Sequence, residues 1–206
     1  MSAPHPVIEY WFDFGSNYSY LSTLRIEQAA QLAGVSVQWR PFLLGPVFRE
    51  LGWSTSPFVL QKEKGEYTWQ DMARQCRKYG LPWRRPSRFP RPAVLPTLVA
   101  LAGADTHWVG GFCRLMMHLN FAEDRDIDSA GTVAEVLTAM DLPVASLLED
   151  AQSADNRARL REQTVLARAR GIFGAPTFFV GKEMFWGNDR LDDALAACRE
   201  PASFSP

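Results

Sequence analysis

The chain predicts an α/β fold in which a small sheet is split by a run of helices. Three observations carry this: a strand–helix–strand pattern over the first 41 residues, helical periodicity through the middle, and two short strands followed by a helix at the end. Residues 7–14 have the apolar and aromatic content of a buried strand, and 19–33 follow with apolar positions at helical spacing before Gly34. Residues 36–41 alternate as a second strand, so the opening implies a parallel βαβ unit with a right-handed crossover. Helices are expected over 66–79, 95–102, 108–120, 129–140 and 155–170, punctuated by Gly80, Pro82, Gly103 and Pro143, and Gly171 is a good stop for the last of them. Beyond it, 177–180 and 183–186 read as a hairpin across Gly181-Lys182, and 190–198 return to helix.

At 206 residues and 47% hydrophobic composition the chain can bury a full core, as one domain or as one domain carrying a large insertion. A net charge of −1 supplies no global attraction to nucleic acid or to anionic membranes, so a small-molecule partner is expected. The start lacks a cationic stretch followed by an apolar one, and no later run approaches ~18 uncharged apolar residues, which points to a soluble cytoplasmic protein. Cys76, Cys113 and Cys198 are odd in number and scattered, with no C-x-x-C pair and no ligand-like spacing to His5, His107 or His118. That argues against a disulfide framework and against a metal site. Between Arg74 and Arg91 lie seven basic residues and no acidic ones, interleaved with Trp83 and Phe89. A solvated helix face and loop is the plainer reading than a nucleic-acid patch, and between the two stands a role for Arg84, Arg85 or Arg88 in drawing an anionic aromatic acid to a site rim.

Two segments at opposite ends carry the chemistry. Asp13-Phe-Gly-Ser-Asn-Tyr-Ser-Tyr-Leu21 reads as a strand end turning into a helix, with Ser16 where the helix begins, so its hydroxyl and the free N–H groups of the first turn can stabilise negative charge. Gly174-Ala-Pro-Thr-Phe-Phe-Val-Gly181, followed by Gly187-Asn-Asp-Arg-Leu191, holds an Ala-Pro bond before a run of strand formers. This predicts a rigid turn, a setting in which a cis peptide is one option, beside an exposed strand edge along which a peptide can lie.

With these segments, Arg40-Pro-Phe-Leu-Leu-Gly45, Lys64-Gly-Glu-Tyr67 with Asp71 and Arg74 after it, and Phe89-Pro90 recur in order, and over nearly its whole length the chain resembles the 2-hydroxychromene-2-carboxylate isomerase family. That family is similar to kappa-class glutathione transferases and shares a thioredoxin-like fold with an inserted all-helical subdomain. The resemblance implies a discontinuous thioredoxin-like domain over 1–60 and 171–206, a helical insertion over 61–170, and glutathione as cofactor. Ser16 and Ser19 stand where disulfide oxidoreductases carry their C-x-x-C pair. A serine cannot exchange disulfides, but it can donate a hydrogen bond to a thiolate that arrives with a ligand. By resemblance Ser16 is the activating residue; taken alone a plain helix N-cap is the better explanation, and the coupled Gly-Ala-Pro segment reverses that preference. Ala175, before Pro176, is implied to offer its backbone to the cysteinyl unit. Asn188 and Asp189 match positions near the γ-glutamyl end, and they also suit helix capping before Arg190. Lys64 is implied for the glycyl carboxylate; alone it is a surface lysine. The chain departs from the family pattern at Asn17, where Pro or Thr is usual, at Trp53-Ser54, where an Asn is frequent, and at Pro92, where an Asn follows Phe-Pro.

Trp11, Phe42, Phe58, Trp69, Trp83, Phe89 and Trp186 are candidates for an apolar wall against an aromatic cosubstrate, although for most of them a core role is the better explanation. The leading expectation is a glutathione-dependent isomerase or transferase acting on an aromatic, conjugated electrophile, as a homodimer if it follows its relatives. The alternatives are a noncatalytic thiol-peptide or protein-binding module and a disulfide oxidoreductase-like protein.

Overall fold

A computed structural model describes residues 6–199. Its sheet has four strands, β1 (Val7–Phe12), β2 (Ser36–Pro41), β3 (Thr177–Val180) and β4 (Glu183–Trp186), in the order β2-β1-β3-β4. β1 and β2 run parallel, as the βαβ reading requires, while β3 is antiparallel to both β1 and β4.

The predicted helix over 19–33 is two helices, α1 (Asn17–Thr23) and α2 (Ile26–Ala33). The break falls at Leu24-Arg25, where the Arg25 guanidinium lies 3.8 Å from the Tyr79 ring centroid and donates to Asn188 Oδ1 at 3.0 Å. Between β2 and β3 run α3 (Leu44–Glu50), α4 (Pro57–Leu60), α5 (Lys62–Tyr79), α6 (Val94–Ala102), α7 (Val109–Phe121), α8 (Ala130–Ala139), α9 (Val144–Gln152) and α10 (Ala154–Ala169). A short 3-10 turn (Asn188–Arg190) leads into α11 (Leu191–Ala197). Helices α3, α4 and α9 were not anticipated, and α5 starts four residues before its periodic stretch because Gly65 and the charged residues around it weaken the pattern.

Alternation along β1 sends its side chains to two cores. Ile8, Tyr10 and Phe12 join the larger one with Phe178, α1, α2, α6 and α7, and Tyr10 stacks on Phe12 at 4.9 Å and on Phe178 at 5.4 Å. Trp11 faces the opposite way, into a smaller core with Phe42, Val47, Ala167, Ile172 and Phe179. Ala167 belongs to α10, so the end of the helical run covers one face of the sheet itself.

Candidate active site at the start of α1

β1 ends at Phe12, and the next four residues form a tight loop held by Asp13. Its Oδ1 accepts from Gly15 N at 2.6 Å and its Oδ2 from Leu44 N at 2.7 Å, which ties the loop to the start of α3. Burial pushes the Asp13 carboxyl above the ordinary carboxylate range, against the pull of those two N–H donors. The loop delivers Ser16 as the N-cap of α1: its Oγ accepts from Ser19 N at 3.2 Å and donates to Ala175 O at 2.8 Å, and the residue is 8% exposed.

Ala175-Pro176 is a cis peptide, and Phe89-Pro90 is a second. β3 pairs on both sides from Thr177 onward, so the expected exposed strand edge is corrected to the residues just before β3, with β1 and β4 closing the rest. Pro176 O accepts from Gly187 N at 2.9 Å, which brings the turn after β4 beside Ala175. Gly187 has φ 110, a backbone conformation that residues with a Cβ rarely adopt, so the turn favours glycine. Asn188 is buried, and its Oδ1 accepts from Ser22 Oγ at 3.2 Å as well as from Arg25. Asp189 pairs with Arg190 at 3.1 Å and its side chain is 72% exposed.

Ser16, Lys64, Ala175, Pro176, Asn188 and Asp189 all line one cleft of about 980 Å³. Lys64 Nζ lies 5.9 Å from the Phe58 ring centroid. Lys64, Asp71 and Gln75 fall on one face of α5, and Tyr18 OH donates to Asp71 Oδ2 at 2.9 Å, beside Phe58. The 7- and 4-residue spacings of those three could have found this face in the sequence. Arg49 of α3 also lines the cleft, with Phe48 and Trp53 packed on each other at 5.7 Å; it is a cation that the sequence reading missed.

The candidate aromatic wall divides. Phe58, Phe89 and Trp186 line the cleft; Trp11 and Phe42 are core; Trp69 and Trp83 stack on each other at 5.8 Å, outside the lining. Arg84, Arg85 and Arg88 do not reach the cleft, and Arg85 instead holds Glu66 through two hydrogen bonds. Of that basic segment it is Arg91 that lines the cleft, anchored to Asp124.

The three cysteines are free thiols, and none lines the cleft. Burial pushes the Cys76 thiol up to about 11 and raises Cys113 and Cys198 as well. What remains at Ser16 is a hydroxyl donor, a cis-proline turn and a mixed set of charges, without a nucleophilic sulfur.

This layout matches a known frame: the family model of the DSBA-like thioredoxin domain matches residues 7–198. The chain belongs to that family. It is 27% identical over 206 residues to a 2-hydroxychromene-2-carboxylate isomerase of Pseudomonas putida, covering 97% of this chain and 99% of that protein. It is 27% identical over 210 residues to a glutathione S-transferase kappa 2 of Caenorhabditis elegans, covering 95% and 92%. A solved structure of a 2-hydroxychromene-2-carboxylate isomerase superposes with a TM-score of 0.84 at 26% identity, covering 93% of each chain. These DSBA-like relatives are therefore enzymes that span the same length as this chain. Among the described residues no helix is long and apolar enough to cross a membrane, and no group of three or more His, Cys, Asp or Glu could hold a metal ion.

Proposed function

We propose that the protein is a glutathione-dependent enzyme of the 2-hydroxychromene-2-carboxylate isomerase or glutathione transferase type, acting on an aromatic, conjugated electrophile. The observation that carries the reading is the Ser16 hydroxyl, hydrogen-bonded to Ala175 O across the cis-proline turn in a cleft whose own cysteines lie elsewhere. The cleft residues fit glutathione in kind: a hydroxyl donor for its sulfur, a backbone turn for its peptide, cations for its carboxylates and Asp189 for its ammonium. When bound, glutathione supplies a thiol that adds reversibly to a conjugated double bond or displaces a leaving group.

The chain's own residues do the rest. Ala175 O can accept the ligand's peptide N–H, which releases the Ser16 hydroxyl from its present bond so that it can turn toward sulfur. A hydrogen bond to a charged group contributes about 1.5–3 kcal/mol, which lowers the pKa of the bound thiol by about 1 to 2. The N–H groups of α1's first turn add to this, although a seven-residue helix contributes through those local groups more than through its length. Lys64 receives the glycyl carboxylate, and Asp189, with the N–H groups near Asn188, receives the γ-glutamyl end. Arg49, beside Phe48 and Trp53, gives an anionic aromatic cosubstrate a cation and a wall. The resemblance carries a homodimer and a cytoplasmic setting, and light scattering of the purified chain checks the first.

The test is calorimetric titration with glutathione and with S-methylglutathione, paired with thiolate absorbance near neutral pH. Saturable binding below millimolar concentration is expected, with a thiolate signal that falls sharply in Ser16→Ala. An absence of binding sinks the reading. Binding that persists while Ser16→Ala leaves every turnover unchanged favours the noncatalytic module instead.

A further inference from the structure

Asn17 follows Ser16 at the first position of α1, lines the same cleft, and is 1% exposed, yet its Nδ2 has no hydrogen-bond acceptor. A buried amide donor without a partner costs on the order of 1–3 kcal/mol, whereas an apolar residue of similar shape at the same place would carry no such penalty. Unsatisfied buried groups are rare, and one beside a functional site calls for an explanation, of which a partner that arrives from outside is one. The Asn17 amide turns about a soft terminal torsion, so a small rotation aims the donor at a ligand atom beside Ser16.

We propose that Asn17 is a specificity-determining residue of this site, donating from Nδ2 to the carbonyl or carboxylate oxygen of the electrophile. The proposal rests on the glutathione reading above. The neighbours of Ser16 divide the partners: its Oγ, Ala175, Lys64 and Asp189 account for the thiol peptide, and Asn17 is left with a donor that none of them uses. As a C–S bond forms at the far end of a conjugated system, the π electrons move toward the oxygen, and once the amide has turned toward the ligand its donor meets that charge from the cleft wall. When the sulfur leaves, the electrons return and the donor is free again. A competing arrangement exists in the protein itself, because Asn120 Oδ1 on α7 is a buried acceptor without a donor. If the two amides serve one another, Asn17 is a packing residue.

The experiment compares wild type with Asn17→Leu and Asn17→Thr by melting temperature without ligand, by S-methylglutathione affinity, and by glutathione-dependent turnover of trans-4-phenyl-3-buten-2-one. Asn17→Leu should melt at or above the wild-type temperature and bind S-methylglutathione within about twofold, while kcat/KM falls on the order of 100-fold. Asn17→Thr, which keeps a donor, should recover part of that loss. A melting temperature lowered by several degrees in Asn17→Leu, equal loss of S-methylglutathione affinity, unchanged turnover, or a wild type that does not turn the ketone over each overturns the proposal. A wild type that fails to bind S-methylglutathione at all is the separate result that removes the glutathione reading beneath it.

Discussion

Asp13 is the residue on which the Ser16 loop depends, and it does so as a buried carboxylate. Because burial raises its pKa in the folded state, folding binds its proton more tightly than the unfolded chain does. That contribution is fully present below the ordinary value and is lost as pH rises through the raised one. Wild type should therefore gain stability relative to Asp13→Asn as pH falls from neutral toward that range, read as urea midpoints of both proteins at several pH values. The cysteines give a second residue-scale expectation. With Cys76 and Cys113 buried and their pKa values raised, the native protein should react with Ellman's reagent at Cys198 alone near neutral pH, and at all three thiols once unfolded. Insulin reduction should be indifferent to replacing all three with Ser, and a loss would bring the disulfide oxidoreductase alternative back. The sequence allowed Ser16 and the Ala175-Pro176 turn to be located, because a hydroxyl at a helix start and a proline before a strand are local patterns. It did not disclose that Arg49 lines the cleft, nor the Tyr18–Asp71 bond, since both depend on how segments far apart in the chain are brought together.

Among the elements, α5 shows how a motif acquires a physical reason. Gly65 packs so closely on α4 that a Cβ would stand 2.1 Å from Phe58 O, a backbone atom that cannot move alone. In an open helix Gly→Ala gains about 1 kcal/mol; here Gly65→Ala should instead destabilise by about 1–3 kcal/mol through overpacking and should shift Lys64 and Phe58 on the cleft wall. Thermal unfolding together with S-methylglutathione affinity checks both parts. The periodic stretches of α6, α7, α8 and α10 were legible because their apolar positions repeat over three or more turns. The two helices in place of one over 17–33 were not, because the break is set by Arg25 reaching Asn188 and Tyr79, which lie 163 and 54 residues away. Short helices such as α3 and α4 span too few turns for a period to register.

Across the whole molecule the sheet joins two cores through adjacent residues of β1 and β3, with Phe178 on one side and Phe179 on the other. Trp11→Ala empties part of the smaller core and should cost about 3–5 kcal/mol in urea unfolding, while leaving a single transition if both cores melt together. From its residue pattern alone the chain determined the parallel βαβ opening, the helical middle, the terminal hairpin and the two segments that meet at the site, since each is written in side-chain periodicity or in turn residues over a short span. Only the tertiary structure decided that β3 is closed on both edges, that α10 covers the sheet, that Arg49 and Arg91 rather than Arg84, Arg85 or Arg88 face the cleft, and that the Asn17 amide is left without an acceptor. Those facts depend on contacts between residues tens to more than a hundred positions apart, and local propensity holds no record of such distances.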